Sequence, residues 1–379
     1  MLCLAGKLSE AIGLKAMVLA AGVGTRLDPL TTQLPKPLVP VVNKPVMEHV
    51  LSLLVHHNFK QVSVNLHYLP ELIRKHFGDG SQFGAQLNYL FEENLSGDAG
   101  GVRGCRQHLQ DGTFLVIMGD LLTNANLTNL VAEHKKMGAL ATIALKEVKD
   151  VSQFGVAVLN QLGWITEFQE KPAPHEARSN LVSTGIYIFQ PEIFNFIPET
   201  GVYGFGKQLF PQLIKNKKKI LGVAIEDYWS DVGTIDQYRQ ANFDTLSGKY
   251  AGLQVGDQIP EDAWTLCQGK EAIIDSGCQI NGQLLVGNNS LIKRGAKIYC
   301  SVIIGDNCLV EEDVSIEDAI IWSGSKIGSR SKIKQSILGL DSLIEPETVL
   351  NESVFVTPQS AVRFEPPSKF PSTTSNKRG

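Results

Sequence analysis

The sequence predicts an α/β protein in two parts: a doubly wound mixed, mostly parallel sheet, followed by a β-helix. Three observations carry that prediction. Short apolar runs alternate with stretches of helical spacing between Lys15 and Leu246, as strands and helices do in βαβ order. The first run, Ala16 to Ala20, passes directly into Ala21-Gly22-Val23-Gly24-Thr25-Arg26, a strand feeding a glycine turn. From Ile274 onward apolar residues fall on a period of six, which suits neither a 3.6-residue helix nor strand alternation.

Composition narrows the function classes. The chain has 379 residues, too many for one typical core, so two domains are expected. Hydrophobic content of 43%, charged content of 20% and a net charge of -4 describe a globular chain without the basic excess of a nucleic-acid binder. No apolar run reaches membrane-spanning length, so neither nucleic acid nor membrane is an expected partner. Met1 to Leu14 has one lysine and no clear cleavage site, and reads as an N-terminal extension rather than a signal peptide. Cys3, Cys105, Cys267, Cys278, Cys300 and Cys308 form no CxxC pair; buried free thiols in a reducing cytoplasm explain them most simply.

The first half is organised around Lys15 to Pro45. Glycine has no Cβ and admits positive φ, so Gly22 and Gly24 let backbone N–H groups lie against a polyphosphate. Arg26 and Lys36 add fixed positive charge, and Pro29, Pro35, Pro37, Pro40 and Pro45 keep the segment from becoming a helix. A dinucleotide fingerprint would need a third glycine and a helix here, and a P-loop would need Gly-Lys-Ser/Thr; both are missing. An ordinary strand-to-loop turn is the remaining alternative.

Next come a helix over Val46–Asn58, a strand over Gln61–Asn65, a helix over Pro70–His76 and a strand over Leu87–Phe91. Ligands of such sheets sit beyond the carboxyl ends of the strands, where Glu92–Arg103 supplies Gly97, Gly100 and Gly101; a flexible connection is the plainer reading of these three glycines. Thr113–Met118 reads as a buried strand that delivers Asp120 to the same crevice. A carboxylate there suits Mg²⁺, which prefers hard oxygens; a turn or helix-cap aspartate is the plainer reading. Shorter strands at Ala141–Lys146, Gly155–Leu159, Ile165–Gln169 and Thr184–Phe189 suit a mixed extension of the sheet over a second substrate. Glu170 and Lys171 offer an acceptor and a donor beside it, and an exposed Glu-Lys pair is the alternative. Asp231 precedes a helix over Ile235–Leu246 and by itself looks like a helix cap.

The stretch Lys15–Pro45 closely resembles the signature of the sugar-1-phosphate nucleotidyltransferases. That resemblance implies a Rossmann-like nucleotidyltransferase domain and assigns roles along the chain. Ala20, Gly22, Gly24, Thr25, Glu92, Gly97 and Gly100 would bind the nucleotide, with Gly97-Asp98-Ala99-Gly100 matching a Gly-Thr-Ala-Gly-type loop and Asp98 standing where threonine is commoner. Glu170-Lys171-Pro172 matches the sugar-phosphate clamp, and Gly155, Glu170, Thr184 and Gly185 would bind the sugar, with Thr184 where many members have asparagine. Trp229-Ser230-Asp231-Val232-Gly233-Thr234 matches the second metal motif, so Asp120 and Asp231 would hold one Mg²⁺. Arg26, Lys36 and Lys171 would be the catalytic cations.

In the second half, Ile274, Ile280, Val286, Ile292, Ile298, Ile304, Val310 and Ile316 keep the six-residue period without a miss. The register slips by one to Ile321, Ile327 and Ile333, and again to Leu338, Ile344, Leu350 and Val356. This resembles the left-handed hexapeptide β-helix, three hexads to a coil and about five coils, each burying its corners on its neighbours. The predicted layout is an extension over 1–14, a nucleotidyltransferase domain over 15–246, a linker over 247–272, the left-handed β-helix over 273–358 and a polar, proline-rich tail over 359–379. Hexapeptide helices often host acyl transfer, but no histidine follows Ile274 to act as its base. Self-association into a homo-oligomer is the more natural expectation for this part.

The implied reaction joins a nucleoside triphosphate and a sugar 1-phosphate into a nucleotide-sugar and pyrophosphate. Because a phosphate dianion is already ionised, the lack of an obvious catalytic His or Cys is expected. The two-part layout resembles GDP-mannose pyrophosphorylases and also UDP-glucose and heptose-type relatives. Mannose 1-phosphate with GTP is the first expectation and glucose 1-phosphate with UTP the second. A different class, the catalytically silent scaffold subunits of a translation-initiation exchange factor, resembles the same two domains.

Overall fold

The computed structural model describes residues 14–32, 34–250, 257–261 and 264–357. The expected extension before Leu14 and the tail over 359–379 lie outside the described residues, as does Cys3.

Strand β1 (Lys15–Leu19) is the centre of the first half, because Ala16, Met17 and Val18 are completely buried and pack on both faces of the sheet. Helix α1 (Val46–His56) starts where Pro45 fixes an extended backbone, carries Glu48 in its first turn, and buries Val46, Met47, Val50, Leu51 and Leu54. Strand β2 (Gln61–Leu66), helix α2 (Pro70–Phe77), strand β3 (Gln86–Phe91), helix α3 (Asp98–Gly104) and strand β4 (Phe114–Met118) follow. β1 lies between β2 and β4, parallel to both, and β3 closes the edge beside β2. Leu19 is level with Asn65 on one side and Met118 on the other, so three strands end at one height and open one crevice.

The remaining elements form the mixed extension. β5 (Leu121–Thr123) and helix α4 (Leu127–Met137) lead to β6 (Ala141–Glu147), β7 (Gly155–Leu159), β8 (Ile165–Glu170), β9 (Leu181–Phe189), β10 (Ile220–Ala224) and β11 (Trp229–Asp231). β9 runs antiparallel to β4 and carries β6 on its other side; β10 is parallel to β6, and the β7–β8 hairpin reaches β9 through Val156 and Val182. β5 and β11 form a separate antiparallel ribbon. Helix α5 (Ile235–Leu246) then returns to the first half, capped by Thr234, whose hydroxyl accepts the Gln237 N–H at 3.3 Å. The expectation that Asp231 itself could cap this helix is corrected, because Asp231 is still paired in β11 when the chain turns.

The second half is a stack of parallel strands. Gln279–Val286 pairs with Lys297–Ile304 at a spacing of eighteen residues, Gln279 opposite Lys297, which is three hexads. Beyond Tyr299 the spacing is seventeen, Val302 opposite Ala319 and Lys332 opposite Val349. The two slips in the apolar ladder are therefore coils one residue shorter. Ladder residues from Val286 to Ile344 point inward and form one buried column. The stretch 247–272, expected as linker, contains strands at Asp257–Glu261 and Trp264–Gln268, and the second pairs with Gln279–Val286. The coil stack thus begins earlier than the ladder suggested, because Gln268 stands in the register of Val286 and removes the apolar mark.

Cys105, Cys267 and Cys308 are buried free thiols as expected, Cys278 is half-buried, and Cys300 is exposed because it turns a corner with φ 60°. No helix among the described residues is long and apolar enough to cross a membrane.

Candidate active site

The floor of the crevice is a chain of hydrogen bonds across the strand ends. The Ala20 N–H donates to Asn65 Oδ1 at 2.9 Å, Asn65 Nδ2 donates to Glu92 Oε1 at 2.6 Å, and Glu92 Oε2 accepts the Ser96 N–H at 3.0 Å. Both carboxylate oxygens of Glu92 are thereby engaged, so it fixes the loop that carries Gly97. Gly97 has φ 80°, and a Cβ there would lie 2.5 Å from the Tyr203 carbonyl oxygen, so only glycine fits.

Two cavities stand side by side above this floor and share Asp98, Met118 and Asp120. The first, about 260 Å³, is lined by Ala20, Gly22, Lys36, Glu92 and Gly97. The second, about 310 Å³, is lined by Arg26, Gly155, Glu170, Lys171, Thr184, Gly185 and Asp231. Gly22 faces open space, whereas Gly24 has φ 80° and leaves room for the Lys36 stem, 3.0 Å from where a Cβ would be. Gly24, Thr25 and Gly100 line neither cavity. Thr25 starts the exposed turn that carries Arg26, and Gly100 donates its N–H to the Tyr203 carbonyl at 3.0 Å.

In the second cavity, Gly155 makes space for the Phe168 ring, 2.4 Å from where a Cβ would be, and Gly206 for the Glu170 side chain: a Cβ at Gly206 would meet Glu170 Oε2 at 1.9 Å. Gly185, at φ 80°, sits where the pairing of β9 with β6 shifts register and packs against Met118. The Thr184 hydroxyl is turned away, donating to the Ala144 carbonyl at 2.8 Å. Lys171 leaves β8 at φ 49°, with its N–H on the Phe154 carbonyl at 3.0 Å.

Charge concentrates where the cavities meet. Lys36 is only 8% exposed and forms an ion pair with Asp120 Oδ2. The β5–β11 ribbon sets Asp231 opposite Leu121, next to Asp120. Burial pushes the Asp231 carboxyl up to about 6, and the charge of Asp120 adds to that rise, while Lys36 and Arg26 oppose it. Gln237 Nε2 holds Asp231 Oδ1 at 2.7 Å and so orients the other oxygen. Two hard carboxylates that repel one another in a partly buried site are a donor set that fits a divalent cation such as Mg²⁺. Asp98, between the cavities, is also pushed up to about 6, chiefly by burial; its Oδ1 accepts the N–H groups of Ala99 at 2.7 Å and Phe205 at 2.6 Å.

Sequence reasoning did not single out Asn65, Gln237, Ser96 or Gly206. Asn65 carried no distinct signal, since Gln61 and Ser63 are also polar in the same strand. Gly206 carried none, since its partner Glu170 is brought to it only by the sheet.

Comparison with known proteins accords with this arrangement. A family model described as nucleotidyl transferase matches residues 15–248, and one described as the left-handed β-helix domain of EIF2B subunit epsilon matches 265–365. The chain is 42% identical over 255 residues to a UTP–glucose-1-phosphate uridylyltransferase of Synechocystis, covering 64% of this chain and 66% of that protein. It is 30% identical over 273 residues to a mannose-1-phosphate guanylyltransferase of Mycobacterium tuberculosis, covering 72% and 73%. In fold it is similar to a solved Bacillus anthracis structure named for glucose-1-phosphate thymidylyl transfer, with a TM-score of 0.55 at 24% identity over 60% of this chain and 94% of that one. The chain belongs to the nucleotidyl transferase family, among sugar-1-phosphate nucleotidyltransferases that carry a C-terminal left-handed β-helix of hexapeptides.

Proposed function

We propose that this protein transfers a nucleotidyl group from a nucleoside triphosphate to a hexose 1-phosphate and releases pyrophosphate. The observation that carries the reading is the meeting of Arg26, Lys36, Asp120 and Asp231 at the junction of two cavities, one floored by the glycine turn and one by the β7–β9 extension. The triphosphate takes the first cavity and the sugar phosphate the second. An oxygen of the sugar phosphate attacks the α-phosphorus, the new P–O bond forms, and the bond to the β-phosphate oxygen breaks. The reactants bring about six negative charges together, so alignment and charge stabilisation are the main task. Lys171 orients the sugar phosphate, Lys36 supports the α-phosphate region and Arg26 steadies the departing pyrophosphate. Glu170 accepts from sugar hydroxyls. Asp120 and Asp231 are the residues that would hold Mg²⁺, which when bound supplies neutralising charge to the phosphates. No general base is needed, because the nucleophile is already an anion.

The sequence by itself put mannose 1-phosphate and GTP first. The 42% likeness to a UTP–glucose-1-phosphate uridylyltransferase now favours glucose 1-phosphate and UTP, with mannose 1-phosphate and GTP second. Pyrophosphate release across a panel of triphosphates and hexose 1-phosphates tests this. Turnover with one pair and magnesium supports the proposal, and silence with every pair would return the chain to the scaffold class. Retention of all six residues Arg26, Lys36, Asp120, Glu170, Lys171 and Asp231 around one crevice speaks for the enzyme.

A further inference from the structure

The β-helix does more than follow the catalytic domain in sequence. Its strands carry two apolar columns, because alternate residues face opposite ways. Val286, Ile304, Ile321 and Leu338 point into the coil core. Their neighbours Leu285, Ile303, Ile320 and Ile337 point outward, yet each is at most 4% exposed. They are covered by the catalytic domain, in one cluster with Leu27, Leu30, Val39, Val41, Val42 and Val46 from the loop that surrounds Lys36.

Polar contacts fix the register of this contact. Trp322 Nε1 donates to Tyr238 Oη at 2.7 Å, and Tyr238 Oη donates to the Pro40 carbonyl at 2.8 Å. Pro40 lies just beyond the turn Lys36–Leu38, whose Lys36 carbonyl accepts the Val39 N–H at 3.1 Å. The tight hairpin Pro40–Pro45 then turns through Val42 at φ 44° and Asn43 at φ 65°. A β-branched residue resists that conformation, so its surroundings must impose it. Here they do: the Val42 N–H is held by Asn242 Oδ1 at 2.8 Å, and Asn43 Nδ2 donates to the Ile304 carbonyl of the β-helix at 2.8 Å.

We infer that the β-helix sets the position of Lys36, with Trp322 and Tyr238 as positioning residues for the nucleotide half of the site. This rests on the nucleotidyl-transfer reading for its kinetic consequence, but not for its structural one. In the second cavity the β7–β9 wall belongs to core clusters with no β-helix residue among the described residues, whereas Arg26 and Asp231 adjoin Leu27 and Val232 of the shared cluster. The β7–β9 wall, which carries Glu170, therefore stands outside the coupling.

The test uses the full chain with Tyr238→Phe and Trp322→Phe, read by amide hydrogen exchange and by kinetics. Exchange over residues 39–46 is expected to rise about tenfold in both variants, the size of one lost hydrogen bond, with strand β9 unchanged. KM for the triphosphate should rise or kcat fall by about five- to tenfold, while KM for the sugar 1-phosphate stays within about twofold. Unchanged exchange over 39–46 in both variants overturns the inference, as does an equal rise over the whole catalytic sheet. Should Trp322→Phe unfold the β-helix, Tyr238→Phe, which removes a single oxygen, decides. If the unaltered protein turns over no substrate pair, the proposed function fails and the exchange result still judges the coupling.

Discussion

The backbone N–H of Val232 donates to the carbonyl of Asp120 at 3.0 Å. That bond ties the end of β11 to the turn after β4, and so holds two carboxylates distant in sequence on one side of the crevice. Asp231→Asn and Asp120→Asn are each expected to lower kcat by about 10²- to 10⁴-fold, as loss of a charge-organising group does. Chelation of divalent cations should abolish pyrophosphate release in the unaltered protein, and added Mg²⁺ should restore it. Turnover that persists in chelator would remove the metal from the proposal.

Lys36 is almost enclosed and its ammonium meets Asp120. Lys36→Met keeps the stem and removes the charge, leaving Asp120 and Asp231 to repel each other. Denaturant titration should show a loss of about 1–3 kcal/mol, recovered in part by millimolar Mg²⁺. A variant as stable as the parent without metal would show that the pair carries no such repulsion.

Asp98 gives a pH signature. Its folded value is raised to about 6 by burial, above the ordinary carboxyl near 4. Between those values the unfolded chain ionises first, so the contribution of Asp98 to stability falls as pH rises from about 4 to about 6. Asp98→Asn should therefore gain on the parent across that window by on the order of 2–3 kcal/mol. Parallel urea midpoints for the two proteins from pH 4 to 7 would contradict it.

Gly206→Ala places a methyl group 1.9 Å from Glu170 Oε2, so the carboxylate must leave its place in the second cavity. KM for the sugar 1-phosphate should rise about tenfold or more, with KM for the triphosphate little changed. A rise in both would mean that the two cavities are not separate subsites.

Gly305→Ala probes the coil stack. A Cβ there would stand 2.4 Å from the Ser323 backbone nitrogen in the next coil, and backbone cannot step aside as a flexible side chain can. Calorimetry should show a loss of about 2 kcal/mol or more, against a few tenths for substitution of an exposed strand residue such as Lys326→Ala. An unchanged transition would mean that the coils can spread.

Much of this was readable beforehand, for identifiable reasons. β1 and β4 hold apolar runs, and β2 and β3 are strands in which polar residues interrupt the apolar ones; the structure places each within a residue or two of its expected limits. The six-residue ladder gave the β-helix, and its two slips gave the two shortened coils. The start of the stack was less legible, since Gln268 interrupts the apolar code.

Local pattern determined which elements form and which residue types stand at strand ends, because periodicity, glycine and proline act over a few neighbours. The cations and carboxylates of the proposed reaction were named by the resemblance to a known family, since pattern alone left Asp120, Glu170, Lys171 and Asp231 as turn, surface or cap residues. Only the tertiary structure decided that Asp231 lies beside Asp120, that Glu170 needs the bare backbone of Gly206, and that Trp322 reaches Tyr238 beneath the loop of Lys36. Those relationships join residues far apart along the chain, and they exist only once sheet pairing and the outward apolar column of the β-helix have brought the segments into contact.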